Sequence, residues 1–174
     1  NEGSASASEV FAGGLQDWKR ATIMGVTSFG KGAVQQTWEL QNGGELKLST
    51  NKWLTPSKQW IHGIGIEPDI EVLQHPLFAM ETKTLVGSFK PGDFSEEIAY
   101  SQRVLDELGY NAVRQDGYFD AATAKVVSGY RERHDLISGH QMDEQFFKQL
   151  TAELEKFKGN PINDMPLQMG LSFI

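Results

Sequence analysis

The sequence contains no cysteine, so a disulfide framework, a thiolate zinc site and a cysteine nucleophile are all excluded. Cysteine-free chains suit export, where thiols oxidise. No apolar run approaches the roughly 20 residues that a membrane-spanning helix needs. Basic residues are outnumbered, 16 Lys and Arg against 23 Asp and Glu, giving a net charge of -7. A nucleic-acid-binding surface needs clustered Lys and Arg, and this balance argues against one. The Gly-x-Ser-x-Gly elbow is missing, and none of His62, His75, His134 and His140 sits beside such an elbow, so a Ser-His-Asp triad has no support. The histidines also lack the spacing of a zinc ligand set. Neither an initiator methionine nor a signal peptide precedes Asn1, and the chain reads as cut from something longer.

What remains is an ordinary globular composition, 39% apolar and 22% charged over 174 residues, enough for one medium domain or two small ones. Alternating small residues, Ser4 to Ser8, precede Glu9, and Phe11, Leu15 and Trp18 recur at helical spacing. A helix is expected from Ser6 or Ala7 to Lys19, with Gly13-Gly14 admitting a close neighbour. Residues 21–26 read as a short strand, and residues 35–40 and 45–50 as a hairpin turned at Asn42-Gly43-Gly44. Residues 64–72 read as a tight bend and a short strand. The first 75 residues are α/β in character.

Residues 76–92 form a connector marked by Pro76, Pro91 and Gly92. Three helical patterns follow: 94–108 with Ile98, Gln102, Leu105 and Leu108 on one face, 120–133, and 142–157 with Phe146, Phe147, Leu150 and Leu154 apolar. Residues 93–158 are expected to be a small helical unit, and 159–174, with two prolines, an extended or irregular tail.

A serine hydroxyl needs a base to become a nucleophile. Lysine can serve where burial in an apolar pocket disfavours its charged form. Lys31, between Gly30 and Gly32 and near Phe29 and Val34, is the candidate, although a lysine between glycines is more commonly a solvated loop charge. Ser4, Ser6 and Ser8 all precede the first helix and are equally good caps. Residue chemistry alone does not choose among them. A nucleophile at that position would have helix N-terminal N–H groups at hand for an oxyanion.

Asn1-Glu2-Gly3-Ser4-Ala5-Ser6-Ala7-Ser8-Glu9, Ala12-Gly13-Gly14-Leu15-Gln16-Asp17 and Phe29-Gly30-Lys31-Gly32-Ala33-Val34-Gln35 resemble the core of the C-terminal processing (tail-specific) serine proteases. Leu54-Thr55-Pro56 and residues 63–72 resemble the next block of the same family, in the same order. The resemblance implies a Ser/Lys endopeptidase with a crotonase-like or ClpP-like core. Ser6 would be the nucleophile, Lys31 the general base and Gln35 the residue that orients it. The Ala7 N–H would be one oxyanion donor, and a second would come from a glycine upstream of Asn1. It implies no metal or organic cofactor. The partners would be substrate C-termini, a PDZ domain upstream in the same parent chain, and a second copy in a homodimer, with no nucleic acid. It also implies that this piece alone is inactive and that the parent works outside the cytoplasm, with any membrane anchor upstream.

The second half has a resemblance of its own. Gly92-Asp93, Leu108-Gly109-Tyr110, Asp116-Gly117-Tyr118-Phe119-Asp120, Thr123 and Tyr130 look like a peptidoglycan-binding three-helix module, with Arg131 near the place where that module often has glutamine. Together the two blocks are most similar to the Bacillus-type enzymes of the protease family, which act in sporulation signalling. Two other readings are a non-catalytic scaffold module associated with the cell wall, and helices that serve only packing or dimerisation.

Overall fold

The computed structural model describes residues 1–112 and 114–173. It is a mixed helix and strand structure that divides into two compact units, Asn1–Gln74 with Met165–Ile174, and His75–Asp164.

In the first unit, α1 spans Ala7–Asp17. Its inward face differs from the one expected: Phe11 and Trp18 are 70% and 71% exposed, while Glu9 and Gly13 are buried. A Cβ on Gly13 would lie 2.9 Å from Ile66 Cδ1 and 3.4 Å from Thr55 Cγ2. The small residue thus admits side chains, and the helix seats by close approach where an apolar stripe was expected. The strand expected over residues 21–26 shortens to β1, Met24–Gly25, paired in parallel with β4, Ile70–Glu71. Just before it, the Asp69 carboxylate accepts the Ile23 N–H at 2.8 Å and the Gln16 amide at 3.1 Å. A side chain therefore does part of the work of a ladder.

The hairpin is longer than expected, β2 at Ala33–Glu39 and β3 at Glu45–Lys52, antiparallel, with a register shift between Val34 and Gln35. The turn closes through the Gly43 N–H on the Leu40 carbonyl at 2.9 Å and the Gly44 N–H on Asn42 Oδ1 at 3.1 Å. Among the described residues, the large apolar side chains buried in this unit are Ile61, Ile66 and Val72. So small a core leaves hydrogen bonds to fix the loops.

The tail expected to be irregular holds a 3₁₀ turn, Pro161–Asn163, and a helix α5, Met165–Leu171. Proline is tolerated in a first helical turn because the N–H it lacks has no intrahelical partner there. Pro161 and Pro166 both occupy such positions, and Asn160 caps the 3₁₀ turn through the Ile162 N–H at 3.1 Å.

The second unit has a true apolar core. Helices α2 (Glu96–Leu105), α3 (Ala121–Arg133) and α4 (Glu144–Gly159) bury Ile98, Leu105, Val127, Tyr130, Phe146 and Leu150, among others. Each starts at an N-cap whose side chain accepts the N–H three residues on: Ser95 from Ile98, Asp120 from Thr123 and Asp143 from Phe146. A wide π-type turn, Asp106–Tyr110, follows α2 and reverses at Gly109, φ 86. Polar residues are sealed inside as well: Ser101, Gln102, Thr123 and Arg131. Gln102 bonds the Tyr118 carbonyl, Thr123 Oγ1 and the Gly117 N–H, each at 2.9 Å. Arg131, 1% exposed, donates to the carbonyls of Ile137 and Gln141 and to Asp143, closing the loop between α3 and α4. Among the described residues no helix is long and apolar enough to cross a membrane.

Arg131→Met should destabilise this unit by about 3 kcal/mol, because it strands two carbonyls and a partly buried carboxylate. Urea denaturation followed by far-ultraviolet circular dichroism measures it; Arg131→Lys should recover only part of the loss.

Candidate active site

The chain enters α1 through a strained turn. Ser6 has φ 55 and ψ -113, the first central position of a type II′ turn, where glycine is preferred. The Ser8 N–H closes that turn on the Ala5 carbonyl at 3.2 Å. A non-glycine residue held there stores about 1–3 kcal/mol, and a strained turn between an extended segment and a helix exposes a side chain at its apex.

One carboxylate holds the strain. Glu9 is 1% exposed. Its Oε2 accepts the Ser6 N–H at 2.8 Å and the Lys31 N–H at 2.8 Å. Its Oε1 accepts the Ser28 hydroxyl at 2.6 Å and the Gly30 N–H at 2.5 Å. Burial pushes the pKa of this carboxyl up, but the bonds from Ser28, Gly30, Lys31 and Ser6 outweigh it and hold the group below the usual carboxylate range. Glu9 thereby ties the serine turn to the loop that carries the lysine. By sequence alone Glu9 reads as an acid favourable in a first helical turn. The spacing Ser6-x-x-Glu9 is also that of a capping box, a signal available in the sequence.

The lysine loop is fixed from its other side too. The Phe29 N–H bonds the Ser4 carbonyl at 2.9 Å, and the indole N–H groups of Trp53 and Trp60 bond the carbonyls of Lys31 and Gly32 at 3.0 and 3.1 Å. Gly30 has φ +85, and a Cβ there would sit 2.8 Å from the Gly65 nitrogen; only glycine fits both the conformation and the space.

Ser6, Ala7, Lys31 and Gln35 line one cavity of about 580 Å³, walled by Val10, Ala33, Val34 and Trp53 and flanked by Thr37 and Lys47. Of the three candidate serines, only Ser6 is on this wall; the Ser4 hydroxyl is engaged with Asn1 Oδ1 at 3.2 Å. Gln35 reaches the cavity from β2, so it is both a strand residue and a site residue. The Ala7 N–H makes no hydrogen bond within the chain among the described residues. A serine, an amine and a free N–H around one space are the parts of an acyl-transfer site. Among the described residues no cluster of three or more His, Asp or Glu side chains is placed to hold a metal ion.

Glu9→Ala would leave four donors without their acceptor and should cost about 3 kcal/mol or more. A carboxyl held below its unfolded value stabilises the fold at neutral pH, and that contribution is lost as pH falls through the lowered pKa. The stability difference between wild type and Glu9→Gln should therefore start to shrink as pH falls through the ordinary carboxylate range and go on shrinking until pH lies below the lowered pKa, as urea titrations at stepped pH would measure.

Residues 1–72 match the model of peptidase family S41. The chain is 36% identical over 171 residues to the carboxy-terminal processing protease CtpB of Bacillus subtilis, covering 98% of this chain and 36% of that protein. It is 36% identical over 165 residues to a probable CtpA-like serine protease of Staphylococcus aureus, covering 95% of this chain and 33% of that one. Among solved structures, the photosystem II D1 C-terminal processing protease is similar at 42% identity and a TM-score of 0.40, over 41% of this chain and 19% of that one. The chain spans about a third of the length of the curated relatives it matches. The similarity to peptidase family S41 thus lies in residues 1–72, and the similarity to the carboxy-terminal processing proteases runs along nearly the whole chain.

Proposed function

We propose that this chain carries the Ser/Lys centre of a C-terminal processing endopeptidase with a crotonase-like core. The observation that carries this reading is the single cavity shared by Ser6, Ala7, Lys31 and Gln35. Neutral Lys31 takes the proton from Ser6 Oγ as the oxygen bonds to a peptide carbonyl carbon. The Ala7 N–H receives the oxyanion, with a second donor from the upstream part of the parent. The C–N bond breaks, the lysine returns the proton to the leaving amine, and an acyl-Ser6 ester remains. Water then attacks that ester, its proton passing through Lys31, and releases the new carboxyl terminus. Gln35 orients the amine. The backbone of Lys31 is fixed, so the side chain alone needs to move.

On this reading the parent recognises the tails of protein substrates through an upstream PDZ domain, acts as a homodimer outside the cytoplasm, and is not active as this segment alone. The scaffold alternative gains nothing from the site, since both Ser6 and Lys31 are present and face one space.

Cleavage of an unfolded protein by the whole enzyme is the test. Ser6→Ala and Lys31→Ala should each lower kcat/KM at least about a thousandfold while remaining folded. Ser4→Ala and Ser8→Ala should have much smaller effects, and Gln35→Ala an intermediate one. The base acts unprotonated, so the wild-type rate should rise with pH. Folded Ser6→Ala protein that cleaves like wild type would end this reading.

A further inference from the structure

Lys47 has no part in the mechanism above, yet it lines the same cavity as Ser6 and Lys31. On the hairpin it lies directly opposite Thr37, and Gln35 precedes Thr37 by two residues along β2. Side chains two apart on a strand share a face, so Gln35, Thr37 and Lys47 make a polar stripe along one side of the cavity. The opposite face of the ribbon carries Trp38, Leu46 and Leu48.

The charges on this wall are one-sided. The cavity lining includes two lysines and no carboxylate. Glu39 and Glu45, the next pair along the polar face, are the nearest acids by register, yet among the described residues Lys47 has no carboxylate within the 4.0 Å of an ion pair. If Lys31 works as a neutral base, Lys47 is the cation that remains in the cavity. An ammonium without an internal partner, beside a hydroxyl and an amide, suits an incoming carboxylate.

We infer that Lys47, with Thr37, forms an anionic subsite that binds a carboxylate of the peptide substrate beside the scissile bond. The inference rests on the Ser6/Lys31 reading for what occupies the cavity. Two sources share this chemistry: the side chain of Asp or Glu in the substrate, and the carboxylate at its C-terminus.

Binding without turnover separates this inference from the peptidase reading. The whole protein carrying Ser6→Ala is titrated into fluorescent peptides, with anisotropy as the readout. The peptides pair a Glu with a Gln at each position near the C-terminus, and a free C-terminus with an amide. One of the acidic forms should bind about tenfold more tightly than its neutral partner. A Glu/Gln difference assigns the subsite to a side chain, and a carboxylate/amide difference assigns it to the terminus. Adding Lys47→Met should abolish that difference, Lys47→Glu should reverse it in favour of a lysine peptide, and Lys47→Arg should retain it. Lys47 is exposed on a hairpin strand, and circular dichroism checks that the variants remain folded. Equal affinity for all peptides, or a preference that survives both Lys47→Met and Lys47→Glu, overturns the inference. Loss of cleavage in wild type with the Lys47-dependent preference intact would count against the peptidase reading and leave the subsite standing.

Discussion

A carboxylate removed from water must be surrounded by donors or give up its charge. Glu9 meets that requirement with four donors, two of them backbone groups of the lysine loop and one the N–H of the strained serine. The first unit has little apolar material with which to fix irregular backbone; its large buried aliphatic side chains are few. Directional bonds to one buried anion do the work that packing does elsewhere. Oε2 bridges the serine turn and the lysine loop, while Oε1 holds Ser28 and Gly30 of that same loop. Anything that moves the serine turn therefore moves against the lysine loop.

The second constraint is spatial. Gly30 and Gly32 press against residues 61–65, where a Cβ on either would collide with backbone atoms. Glu9 and Ser4 grip the loop from one side, and Trp53, Trp60 and Gly63 grip it from the other. The Lys31 side chain thus extends from a backbone held on both sides, which suits the proton-carrying role proposed for it. The second unit follows the more familiar rule of capped helices around an aromatic and aliphatic core. Among its buried polar residues, Gln102 and Arg131 bond loop carbonyls.

The sequence was most legible where its patterns are local. The hairpin followed from Asn42-Gly43-Gly44 between two strand-like runs, and the three later helices from their apolar spacing. The face of α1 was misread because spacing counts apolar residues. Phe11 and Trp18 point outward, and the face that seats is defined by a glycine and an ionised glutamate. The strand at residues 21–26 was overextended because its partner is only two residues long. The tail looked irregular because its prolines were read as breakers, when both stand where a helical turn tolerates them. Among Ser4, Ser6 and Ser8 local chemistry could not choose, since all are good caps; the choice depends on which one shares a cavity with Lys31, and that is a tertiary fact. Lys47 was missed for a related reason. On its own strand it is one more exposed polar residue, and its place opposite Thr37 appears only once the hairpin is in register.

The central claim is that Glu9 fixes the serine turn and the lysine loop as one body. Amide hydrogen exchange at Ser6, Gly30 and Lys31, compared between wild type and Glu9→Gln, tests it most directly. The account predicts that all three amides are strongly protected in wild type and lose that protection together in the variant, while amides of the second unit are unchanged. Loop-like exchange of these three amides in wild type, or protection that survives in Glu9→Gln, would contradict it.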